Sequence, residues 1–577
     1  MRFLVSLLAV AVLAASLLLT ISNDPPTVAV ASGSPESKVT DPVPLLELAT
    51  PHEQGLFWTL SQAEAKTAAE VHGMQVQADA RVGYLRRQAF EGSTPLYRLR
   101  KQGRIAYMLT SSAAERDQLT SGDDPLFRYE GVIGHVSVSP QPGTEVLYRV
   151  HKEGAADSWR PALASRLGAM RALGYDQVDG PLGYVYPRWI RAGAIYFGAF
   201  DAQGNRAMMD RIGRYYGKEF ENDWWGGVRH ARDGNPKAVR HWPDEDFSHL
   251  KPSIGYYDDS KPETLERHIK QAAGAGLDHF AFYWYWNPGA ADEQYAAGLR
   301  AFLAARNRGD MKFTVLPCIH PWRGGAGGTL RMPSEQIDRA AEILVDDYLS
   351  QPNILRANDG RPMLQLCDVR GIGKVNDRPE NDKSDEIDDA AVRRFTDAIR
   401  TRARATLGEE VMITMTTDNG FPGPQHGVDG SYCPGRFTGS YEQYVAGERE
   451  WFGTIPGAVV RCATSDFDER PRIGISTQDP VTSSDSSEEA KAKLHAAFRW
   501  YEDQSPEGFR RVLGAVRDDV DASARSSAVD NFVLLYAWNE WHEGGVIEPN
   551  ERDGCRYLDI VRSELRLRNG TGCVAVP

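Results

Sequence analysis

Two carboxylates, two indoles, an imidazole and an amide crowd into Trp538-Asn539-Glu540-Trp541-His542-Glu543-Gly544. The run directly follows Phe532-Val533-Leu534-Leu535-Tyr536-Ala537, an apolar stretch that predicts a buried strand. Acids at a strand end, walled by flat rings, suit bond cleavage in which one group donates a proton and the other accepts one or attacks. Loops at the carboxyl ends of parallel strands are where α/β barrels place such chemistry. A spacing of three brings Glu540 and Glu543 to one side only if the backbone turns, so a bend is expected at Trp541. Like charges held close push one pKa up, so one carboxyl can donate while its neighbour stays anionic.

Other predicted strand ends are polar and aromatic too. They carry Tyr283-Trp284-Tyr285-Trp286-Asn287, His320-Pro321-Trp322, Thr417-Asp418-Asn419, and Ser465-Asp466-Phe467-Asp468 with Arg470 and Arg472 beyond. Alternation puts Trp284 and Trp286 on one face of their strand and Tyr283 and Tyr285 on the other. The tryptophans are taken as the pocket-lining pair. Candidate substrate contacts are therefore Tyr257, Trp284, Trp286, His320, Asp418, Asp466, Arg472, Asn539, Trp541 and His542. The spacing of His320, Asp418, Asp466 and His542 selects no metal geometry, so no metal and no cofactor are expected. Gly324 to Gly328 reads as a mobile rim loop, not a phosphate cradle.

These groups need a frame that gathers distant segments at one rim. From about residue 190 to 577, strand candidates alternate with helices. The strands are Ala194 to Phe200, His279 to Tyr285, Lys312 to Ile319, Pro362 to Val369, Val411 to Thr417, Gly430 to Cys433, Ala458 to Ala463, and Phe532 to Trp538. Helices are predicted at Pro262 to Ala275, Ser334 to Ser350, Asp388 to Ala405 and Ser487 to Gln504. Eight such units predict an α/β fold closed as a (β/α)8 TIM barrel. An open doubly wound sheet is disfavoured, because no GxGxxG follows the first strand.

Upstream, residues 51 to 187 repeat. Val82-Gly83-Tyr84-Leu85 recurs as Ile133-Gly134-His135-Val136 and Leu182-Gly183-Tyr184-Val185, and Leu96-Tyr97-Arg98-Leu99 as Leu147-Tyr148-Arg149-Val150. Three strand, strand, short helix, strand units are predicted, closing into one α+β module that either binds carbohydrate or acts as a spacer. Residues 1–31 read as a signal peptide or an uncleaved anchor, and 32–50 as a linker. Secretion beyond the cytoplasm is the expectation, with membrane contact only if the leader stays. Six cysteines suit an exported chain, and Cys555 with Cys573 is the most local pair. The net charge of -13 and the lack of a basic stripe argue against nucleic acid.

With these residues in view, Asn539-Glu540-Trp541-His542-Glu543-Gly544 and Ile547-Glu548-Pro549 resemble the active-site segment of family 99 glycoside hydrolases. These are endo-acting α-mannosidases and mannanases on (β/α)8 barrels. Ile254-Gly255-Tyr256-Tyr257-Asp258, His268 and Phe282 to Trp286 carry the same resemblance. Glu221 to Gly226 and Asp466 to Arg472 look closer to the related WbsX-like proteins of polysaccharide gene clusters, often labelled glycosyltransferases. The resemblance covers roughly Ala194 to Leu558. It implies a retaining hydrolase of α-mannan-type glycans in which Glu540 removes the proton of a sugar 2-hydroxyl, giving a 1,2-anhydro sugar. Glu543 would be the general acid. A glycosyltransferase-related enzyme and a non-catalytic carbohydrate-binding surface protein are the alternatives.

Overall fold

The computed structural model describes residues 42–51, 55–141, 143–155, 157–187, 189–320, 331–373, 387–417, 424–433, 439–455, 457–522, 528–567 and 570–573. Residues 1–31 lie outside this set, as do 324–328 and Asp418. Among the described residues no helix is long and apolar enough to cross a membrane.

The N-terminal region runs strand, strand, helix, strand three times, and its first strand is Val43–Ala49. The expected linker therefore ends earlier than residue 50. Val43–Ala49 pairs antiparallel with both Leu56–Thr59 and Gln75–Leu85, and Pro44 and Glu47 within it broke the apolar pattern that marks a strand. Ser61 and Ser112 cap the first two helices by accepting from the backbone N–H of Glu64 and Glu115. Those two glutamates also accept from Arg98 at 2.7 Å and Arg149 at 2.8 Å, each in the following unit. At the third joint the signs are exchanged. Arg160 of the last unit lies 2.5 Å from the buried Glu47, which holds the strand position of Arg98 and Arg149. The repeated glycines sit where units touch: a Cβ on Gly183 would fall 2.4 Å from Val136, and one on Gly134 2.5 Å from Leu60.

Eight parallel strands follow: β1 (Arg191–Tyr196), β2 (His279–Asn287), β3 (Lys312–Pro317), β4 (Met363–Leu366), β5 (Met412–Thr416), β6 (Gly430–Tyr432), β7 (Ala458–Thr464) and β8 (Phe532–Tyr536). Neighbours in sequence pair in parallel, and β8 returns to pair with β1, as a (β/α)8 barrel requires. Between β3 and β4 the ladder thins to a bridge of Cys318 with Asp368, beside Cys367 N donating to Pro317 O at 2.9 Å. There the Cys318–Cys367 disulfide ties the two strands. Cys433–Cys462 joins the residue just after β6 to the interior of β7, and Cys555–Cys573 fastens the C-terminal segment.

The helix at Pro262–Ala275 forms as expected, with proline in its first turn and Gly276 left-handed at its end. The helix expected from Ser487 to Gln504 instead stops at Ala497, and a second begins at Pro506. Phe498 turns extended, and Trp500 bridges Asp468, which anchors the turn beyond β7. The long connection after β1 adds helices Arg206–Tyr216 and Gly226–Arg232. Their apolar faces pack with Phe200, Trp225, Tyr257 and Trp541 in a second cluster beside the barrel core.

Substituting serine at both Cys318 and Cys367 reopens a loop of 49 residues. The chain-entropy cost is about 4 kcal/mol. Denaturant unfolding of the double variant, compared with the parent under non-reducing conditions, should show a lowered midpoint and a steeper slope, because the unlinked chain exposes more surface when it unfolds.

Candidate active site

The acidic segment is a tight β-hairpin. Asn539 and Glu540 pair antiparallel with Val546 and Gly545, and Glu543 N donates to Glu540 O at 2.9 Å across the turn. The expected bend is therefore present, as a hairpin turn and not a helix. Two glycines permit it. Gly544 has φ +70, and a Cβ there would fall 2.8 Å from Asp468 N; a Cβ on Gly545 would strike the Tyr536 ring. Asp468 N also donates to Glu543 O at 2.6 Å, so the turn beyond β7 grips the hairpin.

The hairpin is fixed from beneath by polar groups with no exposure to spare. Asn539 exchanges two bonds with the Phe197 backbone, accepting at 2.8 Å and donating at 3.0 Å. The buried Glu548 accepts from Tyr257 OH at 2.9 Å, Trp541 Nε1 at 2.9 Å and His268 Nε2 at 3.0 Å. Tyr196 OH bonds the other His268 nitrogen at 2.9 Å. Tyr257, Asn539 and Trp541 therefore work as clamps inside the fold, and Trp541 is wholly buried.

The two carboxyls differ. Glu540 is 8% exposed, and burial followed by the charge of Glu543 drives its pKa well above the carboxylate range. Glu543 is ion-paired to Arg472, with Nη2 to Oε1 at 2.5 Å, and accepts the Tyr536 hydroxyl. Burial pulls the Arg472 pKa down, but Glu543 and Glu540 outweigh it and hold the guanidinium charged. Tyr536 is buried and Tyr283 and Tyr285 are half-buried, and all three phenols have pKa values well above their usual range. Burial is the main cause, and both glutamates add to it.

The pocket-lining tryptophans need correction. Trp284 and Trp286 are 1% and 0% exposed and pack outward, their indoles donating at 2.7 Å to Glu293 and Gln336. Tyr283 and Tyr285 occupy the inner face. The even-numbered residues Phe280, Phe282, Trp284 and Trp286 form one unbroken apolar stripe in the core. That stripe was the available signal, since the helix-facing side of a barrel strand is its most apolar side.

Asp466 is also not gathered to the pair. It is buried near Tyr441 and Tyr557; burial and then Asp468 raise its pKa, and Arg470 and Arg552 are the cations that reach it. His320 stands farther along the rim, its Nδ1 2.7 Å from Asp368 and its ring 6.1 Å from Tyr285. Burial raises the Asp368 pKa, but bonds from His320 and Arg370 outweigh it and hold it at about 2. His542 is 4% exposed and stacks on Phe200 at 5.7 Å. Burial and the charge of Arg472 push its pKa down to about 3, against a smaller opposing effect of the Trp224 backbone. Tyr536 and Glu469 belong to the site and were not singled out by sequence. Among the described residues no group of three or more His, Cys, Asp or Glu could hold a metal ion.

A family model described as Glycosyltransferase WbsX matches residues 481–561, which include the hairpin. A domain of unknown function, DUF5648, matches residues 44–162. The uncharacterized protein WxcX of Xanthomonas campestris pv. campestris (strain B100) is 24% identical over 383 residues, 60% of this chain and 47% of that protein. The chain thus spans about half the length of the curated relatives it matches. Among solved structures, a glycoside hydrolase-like protein is similar at 14% identity and TM-score 0.39, covering 66% of this chain and 94% of that one. The GH99 endo-alpha-mannosidase from Bacteroides thetaiotaomicron, in complex with bis-tris-propane, is similar at 13% identity and TM-score 0.38, over 65% and 95%.

Because His542 is held neutral at about pKa 3, folding stability from this group is full above the unfolded value of about 6.5 and is lost as pH falls toward 3. His542→Phe keeps the stack on Phe200 and removes the titration. Unfolding free energies measured between these limits should lose a slope of up to about 1.4 kcal/mol per pH unit in the variant. The acid dependence from His249, pushed down to about 4 by burial, remains.

Proposed function

We propose that this chain is a glycoside hydrolase that cleaves a polysaccharide or glycan between Glu540 and Glu543. The observation that carries the reading is the hairpin itself. It holds two carboxyls at the C-terminal end of β8, one with its pKa raised by burial and by the charge of the other, and the other paired with a cation. The inner tyrosines give sugar faces an apolar contact and hydroxyls to bond. We further propose an endo-acting, retaining enzyme of α-mannan-type glycans, on the resemblance of the hairpin segment to family 99.

The chemistry follows from a nucleophile that belongs to the substrate. One carboxylate removes the proton from a sugar 2-hydroxyl, and that oxygen attacks the anomeric carbon. The bond to the leaving sugar breaks, and the departing oxygen takes a proton from the other carboxyl. Water then opens the 1,2-anhydro sugar with the two proton transfers reversed, so configuration is retained with no ester to the protein. The three disulfides support an oxidising, extracytoplasmic location. The N-terminal module is proposed as a carbohydrate-binding appendage. One observation favours a second reading, a sugar-transferring enzyme on the same barrel: the description of the family whose model covers the hairpin.

Incubation with a panel of α-mannans and other polysaccharides should release new reducing ends, and products should not depend on an activated sugar donor. Donor-dependent products would establish the transferase instead. Glu540→Gln and Glu543→Gln should each lower cleavage by about a hundredfold or more while circular dichroism is unchanged. Azide should yield no glycosyl azide of inverted anomeric configuration with either variant. Its formation would mean an ordinary displacement by a protein carboxylate.

A further inference from the structure

The three joints of the N-terminal ring are not equivalent. Hairpin register aligns its units residue by residue: Thr59 lies opposite Leu46, Thr110 opposite Tyr97, and Ala162 opposite Tyr148. Arg160 therefore stands where the first two units have Phe57 and Met108. Glu64 and Glu115 follow their threonines by 5 residues, and Leu167 holds that place after Ala162. At the first joint Arg98 lies over the Phe57 ring at 4.5 Å and donates to the Glu64 carboxylate. At the second, Arg149 donates to Glu115. In the third unit the threonine and the capping serine become Ala162 and Ala164, and the helix Leu167–Ala172 has no side-chain cap. A cleft of about 290 Å³ opens beside that helix. Val82, Leu163 and Met170 form an apolar wall, and Arg160 and Arg166 line it as well.

The polar chemistry of the cleft is one-sided. Glu47 is wholly buried and accepts from Arg160 Nε at 3.1 Å, Arg160 Nη2 at 2.5 Å and the Trp58 indole at 3.0 Å. Its oxygens serve the fold and present no surface to a ligand. The Tyr175 ring lies 5.7 Å from the Arg160 guanidinium. Arg160 is thus held in one orientation, with 18% of its side chain exposed. The charged side chains that reach the cleft are two guanidiniums, which donate hydrogen bonds and cannot accept them. Such a cleft suits a ligand that brings the acceptors, above all a carboxylate, on a ring small enough to lie against the apolar wall.

We propose that the third joint binds a uronic-acid residue of an acidic polysaccharide. Its carboxylate meets Arg160 and Arg166, and one face of its ring covers Val82, Leu163 and Met170. The proposal rests on the reading of the N-terminal module as a carbohydrate-binding appendage, and it gives that appendage a site and a class of sugar. At the first two joints the helix supplies a carboxylate of its own, Glu64 or Glu115. The third helix supplies none, and the ligand brings it. Because Glu47 already orients Arg160, that side chain has little freedom left to lose on binding.

The full chain labelled with ¹³C-methyl methionine tests the site without disturbing the ion pair. Met170 lines the cleft, and Met170→Leu identifies its signal. At least one of oligogalacturonate, oligomannuronate and oligoglucuronate should shift the Met170 methyl. A neutral α-mannan oligosaccharide, and acetate at the same carboxylate concentration, should leave it in place. Arg160→Lys keeps a cation beside Glu47 but gives up the fork. It should weaken uronate binding by about tenfold or more with circular dichroism unchanged. A Met170 signal that ignores all three uronates, or moves as far with the mannan oligosaccharide or acetate, overturns the site. So does undiminished affinity in Arg160→Lys. Met74 and Met108, elsewhere in the module, separate this from the appendage reading. Shifts at either of them with Met170 still would leave a glycan-binding module whose site lies elsewhere. Three silent methyls with every sugar would remove both.

Discussion

The buried carboxylate of Glu548 is the constraint on which the site rests. It receives three donors from three separate parts of the chain: Tyr257 from the connection after β1, His268 from the helix that follows, and Trp541 from the hairpin. A charge so deep is tolerable only when nearly all of its acceptor capacity is filled. Filling it draws the long first connection, the first barrel helix and the last strand's hairpin to one point. The hairpin then has no freedom to swing, because Asn539 locks its other edge to the Phe197 backbone.

Above that anchor the electrostatics divide. Desolvation favours the neutral form of Glu540, while Glu543 has a cation beside it. A single guanidinium within 2.5 Å of one of them breaks the symmetry. The asymmetry is not local in sequence: Arg472 lies 71 residues before Glu543, and the brace on its turn comes from Arg499 and Asp468. A pair of acids three residues apart thus acquires distinct chemical characters from parts of the chain that neither adjoins.

Much of the frame could be read from the chain. The eight strand segments and the helix Pro262–Ala275 stand in hydrophobic patterns whose periods survive folding. The carboxyl pair and Arg472 were legible because strand ends concentrate functional groups. Other features were hidden for physical reasons. Alternation states that Tyr283 and Trp284 face opposite ways but not which way is inward, and the choice is made by the Phe280 and Phe282 stripe that seats against helices. Asn539, Trp541 and Tyr257 look like ligand contacts because clamps and ligand contacts use the same side chains. Only their partners, up to 342 residues away, tell them apart. Val43–Ala49 was masked by a proline and a buried glutamate, and that glutamate makes sense only once Arg160 is beside it.

That last ion pair has a consequence for how the N-terminal units assemble. Two of the three joints set a helix-cap glutamate against an arginine of the following unit, while the closing joint inverts the signs. A further copy of the second unit seated after the third would bring guanidinium to guanidinium. Omitting the third would bring the carboxylates of Glu115 and Glu47 together. The charges therefore single out the closing contact: of the three units only the third presents an arginine to Glu47, so only it can seal the ring against the first.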